Sequence, residues 1–191
     1  MISMVTSYSM KTLLVSVFSS SLLLIGSAHA GSFKVDKKLS KITVDAKATA
    51  HSFSGTLNDY VVKGSGSSSS LKPSSFVLEW KFKDLDTDDE KRNAEMIKWL
   101  GEANPKGSFK FIKTWTAKDG RQWAKGDLKI HGVTKAIAFP YSVKKDGDQV
   151  IVDGTAQMDY QDFKLPIIRA MLVMKVDPKL IVNFHVVGKF Q

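Results

Sequence analysis

The chain has 191 residues, no cysteine and a formal net charge of +9. Without a thiol there is no disulfide framework, no thiol nucleophile, no cysteine-held zinc or iron–sulfur cluster and no c-type haem attachment. The excess lysine is spread along the chain rather than gathered into a stripe with interleaved aromatics, which argues against a nucleic-acid partner. Anionic lipid head groups fit such charge better, and plain solubility is its simplest use.

The first thirty residues read as a secretory leader. Lys11 supplies a positive start, Leu13 to Ile25 form a short apolar core interrupted by serines, and Ala28-His29-Ala30 fits the small-x-small cleavage rule. The apolar run falls short of the roughly 20 residues of a comfortable membrane span. Cleavage after Ala30 and export to the periplasm or the medium are therefore expected, in preference to a retained signal anchor. Residues 31–191 then form one domain, large enough to bury a core without disulfides.

Ile42, Val44, Ala46, Ala48 and Ala50 alternate with polar residues, the pattern of a half-buried strand. An inward face made mostly of alanine predicts either close approach of another element or an open interior. Gly55 and Asn58-Asp59 read as turns, Tyr60-Val61-Val62 as the start of a short strand, and Gly64 to Ser70 as a flexible loop. Phe76, Leu78, Trp80 and Phe82 then alternate with Val77, Glu79 and Lys81, placing large apolar residues on one face of a buried strand.

Thr87-Asp88-Asp89-Glu90 has the spacing of a capping box with Thr87 as N-cap. It predicts a helix to about Leu100, with Ala94, Ile97 and Leu100 on one face, Met96 beside them, and Gly101 as the stop. Asn104 to Gly107 turns the chain. Phe109, Phe111 and Trp115 are expected on one side of the next strand, which turns at Asp119-Gly120 and returns from Trp123 to Ile130. After His131-Gly132, the alternation Ile137, Phe139, Tyr141, Val143 marks another strand. Asp146-Gly147 turns it into the strand of Val150, Val152, Ala156 and Met158. Asp159 to Asp162 reads as a polar break. Phe163 to Met174, which contains Pro166, reads as a short helical or irregular segment at one end of the fold. Leu180, Val182, Phe184 and Val186 form the last strand, expected to pair with the first. The pattern is all-β: an eight-stranded antiparallel barrel with one inserted helix, whose closure removes edge strands. A β-sandwich is the alternative.

One segment, GDLKIHGVTK from Gly126 to Lys135, resembles the G-D-L-T-(I/L)-H-G-V-T-(K/R)-P signature of the YceI-like family. The likeness extends to Phe33–Asp36, to His51, Phe53 and Gly55, to Asp84–Phe111, and to Gly154–Pro166, which resembles G-x-x-x-(I/M)-x-R-x-D-F-G-(I/L). The chain departs from that pattern at Tyr160 (Arg in the family), Lys164 (Gly) and Trp99-Leu100-Gly101 (Phe-Phe-Asp). The resemblance implies a periplasmic lipocalin-like barrel that binds a polyisoprenoid or other long-chain lipid.

An eight-stranded barrel has room inside for side chains or for one elongated ligand, held at about 0.8 kcal/mol per buried methylene. The alternating inward positions and the resemblance together give the expected wall: Val44, Ala46, Ala48, Phe76, Leu78, Trp80, Phe109, Phe111, Ile137, Phe139 and Met158. His51 is the candidate for a polar contact to a head group, and Met171 belongs to an adaptable apolar mouth.

His51, His131 and His185 lack metal-ligand spacing, and His131 is expected to hydrogen-bond within its turn. No Gly-x-Ser-x-Gly, P-loop or Gly-x-Gly-x-x-Gly occurs, and Asp159, Asp162 and Arg169 read as surface pairing in a turn. Neither catalysis nor a metal nor a cofactor is therefore expected. The expected ligand is a polyprenyl phosphate, a quinone or a fatty-acid-like amphiphile, and the expected role is its carriage, storage or protection. Peripheral contact with an anionic membrane and a homodimer complete the expected partners. The rivals are a ligand-free envelope stress or interaction protein with a solid core, and an enzyme that uses His51 or His131 on a bound lipid.

Overall fold

A computed structural model describes residues 31–49, 51–67, 69–170 and 174–191. The leader, Ala50 and Met171 lie outside the described residues. The strands in chain order are β1 (Gly31–Val35), β2 (Lys41–Lys47), β3 (Ser52–Leu57), β4 (Val61–Gly66), β5 (Pro73–Lys81), β6 (Leu85–Asp86), β7 (Lys106–Thr116), β8 (Gln122–Ile130), β9 (Val133–Asp146), β10 (Gln149–Asp159), β11 (Arg169–Ala170), β12 (Met174–Lys175) and β13 (Lys179–Phe190). The helix α1 (Glu90–Leu100) lies between β6 and β7.

All pairings are antiparallel, and all strands but β11 and β12 belong to one eleven-stranded sheet. Three of its staves are each bent into two strands. β1 and β2 both pair with β13, through Val35↔Gly188 and Val44↔Val182. β4 and β3 lie against β1 and β2 in turn, and β5 and β6 against β4 and β3. Counting each bent pair once, the sheet is a ring of eight staves, closed where β1 meets β13. That is the lipocalin-like barrel, with a single α-helix among the described residues, and closure leaves unpaired only short stretches such as the outer side of β6.

Its turns follow from local chemistry. His131 and Gly132 have φ of 49° and 73°, and Ile130 faces Val133. A two-residue turn with both φ values positive carries the twist that the flanking strands need.

Several local expectations are corrected. Gly55 is not a turn but the middle of β3, where a Cβ would lie 3.1 Å from Leu85 Cδ1 and 3.2 Å from Thr87 Cγ2, so the side chains of these two residues leave little room for one. β4 runs on to Gly66, so the Gly/Ser loop is shorter than expected. In β7 the register shifts between Phe111 and Lys113, and this bulge reverses the faces of the residues after it. Thr114 therefore lines the interior, and Trp115 stands outside against Trp123.

The helix N-cap is Asp89, which accepts from the Arg92 amide, rather than Thr87. Thr87 is buried, and its backbone amide and hydroxyl both donate to Asn93 Oδ1, at 3.0 and 2.7 Å. Asn93 Nδ2 donates to Asp86 Oδ1 at 2.9 Å. These bonds set the helix's rotation, so Met96, Trp99 and Leu100 face the barrel while Ala94 is exposed.

The expected polar break after β10 is a 3-10 turn, Tyr160–Phe163, with both Tyr160 and Phe163 buried. Asp159 accepts from the Gln161 amide to cap that turn, and no ion pair joins Asp159, Asp162 and Arg169 among the described residues. Beyond the turn the chain is irregular from Leu165 to Ile168 and then forms the β11–β12 hairpin, with no helix among the described residues there.

Candidate functional site

The inward faces of the eight staves enclose a cavity of about 1240 Å³. Drug-sized ligands sit in roughly 300–1,000 Å³, so this space suits something longer. Inward residues such as Leu78, Ile137, Val152 and Val182 are only half-buried, because the cavity itself reaches them. Phe139 lies 5.6 Å from Phe109 and 5.5 Å from Phe184, centroid to centroid, so aromatic rings clad one side of the wall.

One end is roofed by α1 and the segment after β10. Leu100, Tyr160, Phe163 and Leu165 are buried there against Phe109, Leu128 and Ile130. The Tyr160 hydroxyl donates to the Val176 carbonyl at 2.9 Å and accepts from the Ile168 amide at 3.2 Å, which ties the β11–β12 hairpin to the roof. Trp99 packs edge-on to Tyr160 at 5.1 Å, and its indole N–H donates to the Pro166 carbonyl at 3.0 Å. Burial holds the Tyr160 phenol above its ordinary pKa, so it stays a neutral donor.

The charged residues lining the cavity, Asp89, Lys91, Arg92, Glu95, Lys98, Arg169 and Lys175, all belong to α1, its N-cap and the β11–β12 hairpin. They form a rim at one end of an otherwise apolar space, with five cations against two carboxylates. Arg92 is held in place: it donates to the Thr87 carbonyl at 3.0 Å, and its guanidinium lies 4.4 Å from the Phe53 ring centre. Donation from the Arg92 amide keeps the Asp89 carboxyl below its ordinary pKa. Arg169 and Lys175 are direct cross-strand neighbours, and neither forms an ion pair among the described residues. Like charges placed so are unfavourable until an anion joins them.

The structure places Val44, Ala46, Ala48, Phe76, Leu78, Trp80, Phe109, Phe111, Ile137, Phe139 and Met158 on the cavity wall, and His51 at the tip between β2 and β3 on the rim side. Met171 lies outside the described residues. The alanine face has a structural reason: Ala46 and Ala48 are buried with Val176, and Ala48 bridges to Val176. Small side chains there admit the strap beyond β12. His131 does not hydrogen-bond within its turn. Its Nδ1 is 3.4 Å from Glu102 Oε1, too poorly aligned for a bond, and has no other partner among the described residues.

Sequence reasoning missed Val62, Val182 and Phe184 on the wall and Met96, Trp99 and Ile168 at the roof. The first three sit on strands whose alternation is readable. The roof residues meet the barrel only through tertiary packing.

An antiparallel eight-stranded barrel around an apolar, one-end-charged cavity is the architecture of lipocalin-like proteins. A YceI-like domain matches residues 33–188, and the chain belongs to the YceI-like family. Among solved structures, it resembles Burkholderia cenocepacia BcnA at 16% identity and a TM-score of 0.68, covering 81% of this chain and 99% of that one. A polyisoprenoid binding domain from Saccharophagus degradans, implicated in plant cell wall breakdown, matches at 13% identity and a TM-score of 0.59, covering 85% and 100%. The Campylobacter jejuni YceI protein matches at 18% identity and a TM-score of 0.57, covering 72% and 84%. At such identities the likeness is one of fold. No curated protein matches the sequence.

Proposed function

We propose that the chain is exported and carries one long-chain amphiphile, its apolar tail inside the barrel and an anionic head group at the α1 rim. The observation that carries this reading is the confinement of all lining charge to one end of an apolar cavity of about 1240 Å³. Burying some twenty methylenes contributes about 16 kcal/mol of gross transfer free energy, which leaves a surplus after association and ordering costs of several kcal/mol.

One similar structure is described as a polyisoprenoid binding domain, which supports an isoprenoid tail. The unpaired Arg169–Lys175 couple favours a polyprenyl phosphate, or failing that a fatty-acid carboxylate, over an uncharged quinone. The role is carriage, storage or protection rather than conversion. In support, the charged side chains lining the cavity stand at its rim, away from the length of a bound chain. The large void disfavours the solid-core rival.

Native mass spectrometry of the protein purified from its own envelope tests the reading. A bound lipid that ionises as an anion is expected, on a polypeptide whose mass begins at Gly31. Preparations that are empty every time would overturn carriage. A retained leader would overturn export.

A further inference from the structure

The outer face of β7 and β8 carries a feature that the cavity does not use. Trp115 and Trp123 are direct cross-strand partners whose rings stack at 6.0 Å and 20°. Next to them Lys113 faces Lys125 across the same two strands, and Lys113 Nζ lies 6.0 Å from the Trp115 ring centre. Ile112, extruded by the bulge, is 48% exposed and Trp115 is 38% exposed. Pro140 and Ala138 of β9, opposite Trp123 and Lys125, continue the apolar surface.

Neither lysine has an ion-pair partner among the described residues. Of the acids nearby, Asp119 pairs with Arg121, and Asp127 stands opposite Lys110 rather than either lysine of the patch. The stacked rings and the Lys113–Trp115 contact hold the pair together, but the facing lysines repel each other and Ile112, Trp115 and their neighbours leave a contiguous apolar patch in water. Both features gain from one kind of partner. Indoles settle at the level of lipid head groups, where an apolar ring and a polar N–H are both satisfied. Lysines beside them keep their stems in the apolar layer and their ammonium groups on lipid phosphates.

We propose that this outer face docks the barrel on an anionic lipid surface, with Trp115 and Trp123 seated in the head-group layer and Lys113 and Lys125 on lipid phosphates. The docking is independent of what fills the cavity, since all four side chains point away from it.

Co-sedimentation with vesicles tests it, using phosphatidylcholine alone and phosphatidylcholine mixed with phosphatidylglycerol. The protein residues 31–191 should partition onto the anionic vesicles only, and less so as salt is raised. A Lys113→Gln/Lys125→Gln double variant should bind on the order of twentyfold more weakly, about fivefold per lysine removed. Trp115→Ser, which gives up the stack on Trp123, should lower the melting temperature by no more than a few degrees and lose the vesicle binding. Native mass spectrometry of both variants reads cavity occupancy separately, and it should be unchanged. The proposal is overturned if the unaltered protein ignores anionic vesicles, or if both variants bind as it does. It is equally overturned if Trp115→Ser abolishes a dimer in solution instead, because the face then belongs to a second copy of the chain.

Discussion

Trp80 and Gly107 face each other directly across β5 and β7, and the indole lies where a side chain on Gly107 would be. A Cβ built on Gly107 would be 2.1 Å from Trp80 Cζ2. Gly154 stands in the same relation to Phe184, whose Cζ would be 2.3 Å from its Cβ, and at Gly126 the ring of Phe109 reaches over diagonally, its Cζ 2.2 Å from where the Cβ would be. Large rings thus lie flat over inward-facing glycines, cladding the wall with aromatic surface without filling the barrel.

Gly107→Ala should therefore act as an overpacking mutation. A methyl at that distance forces the indole off the wall and into the cavity, at a cost of about 1–3 kcal/mol. Alanine's smaller unfolded-state entropy would return only about 0.4–1 kcal/mol, so the clash wins. The denaturant midpoint should fall, and lipid uptake should fall with it. Unchanged stability and uptake would mean that the ring is free to move.

Lys164 ends the 3-10 turn after β10 with φ at 61°, in the left-handed region, at the position where the family pattern has glycine. A lysine held there costs about 1–2 kcal/mol relative to relaxed backbone. Glycine removes that strain but brings back roughly 0.5–1 kcal/mol of unfolded-state entropy. Lys164→Gly should thus stabilise the protein by about 0.5–1 kcal/mol, raising its melting temperature by about 1–4 °C. A lowered melting temperature would show that the side chain contributes more than the backbone loses.

Two of the other departures from the family pattern prove to be one contact, since Trp99 packs on Tyr160. Tyr160→Phe keeps the ring but strips the hydroxyl from the Val176 carbonyl and the Ile168 amide, leaving both short of a partner at a cost of about 1–3 kcal/mol. Faster hydrogen exchange at the Ile168 amide should accompany the loss. The same substitution should change the alkaline limb of stability. Burial raises the phenols of Tyr60, Tyr141 and Tyr160 above their ordinary value of 10.0. Below about pH 10 folded and unfolded chains hold the same phenolic protons, so stability is flat with respect to these groups. Above it the unfolded chain loses them first, and stability falls as pH rises. Tyr160→Phe should make that fall shallower, which a pH series of denaturant titrations measures.

Much of this is readable in the sequence because period-two alternation is a direct record of which face a side chain takes. The strand of Phe76, Leu78 and Trp80 and that of Ile137 and Phe139 need no other information. Alternation fails where the period slips. The bulge at Ile112 carries no signal in composition, so periodicity puts Trp115 on the wrong face and hides the outer Trp–Lys patch. Glycine is ambiguous in the same way: Gly55 reads as a turn, yet it sits mid-strand because Leu85 and Thr87 come close in space. The rotation of α1 depends on Asn93 reaching Asp86 and Thr87, and the burial of Tyr160 on backbone groups of distant segments. Neither is encoded in local periodicity. The cationic rim escapes periodicity for a related reason, since Lys91 and Lys98 meet Arg169 and Lys175 only through the closed barrel.

Two tryptophan substitutions separate open wall from packed wall. Ala48 is buried and bridged to Val176, so Ala48→Trp should displace the strap beyond β12 and destabilise the protein by about 1–3 kcal/mol or more. Val152 on β10 is half-buried and looks into the cavity, so Val152→Trp has room for its indole. That variant should keep its stability within about 1 kcal/mol, or gain from the extra apolar area buried, while taking up less lipid because the ring occupies the ligand's space. Thermal melts and native mass spectra of the two variants read both quantities. If Val152→Trp unfolds the protein as Ala48→Trp does, the interior is too well packed to hold a chain; if it folds and loads lipid undiminished, the chain does not run past β10.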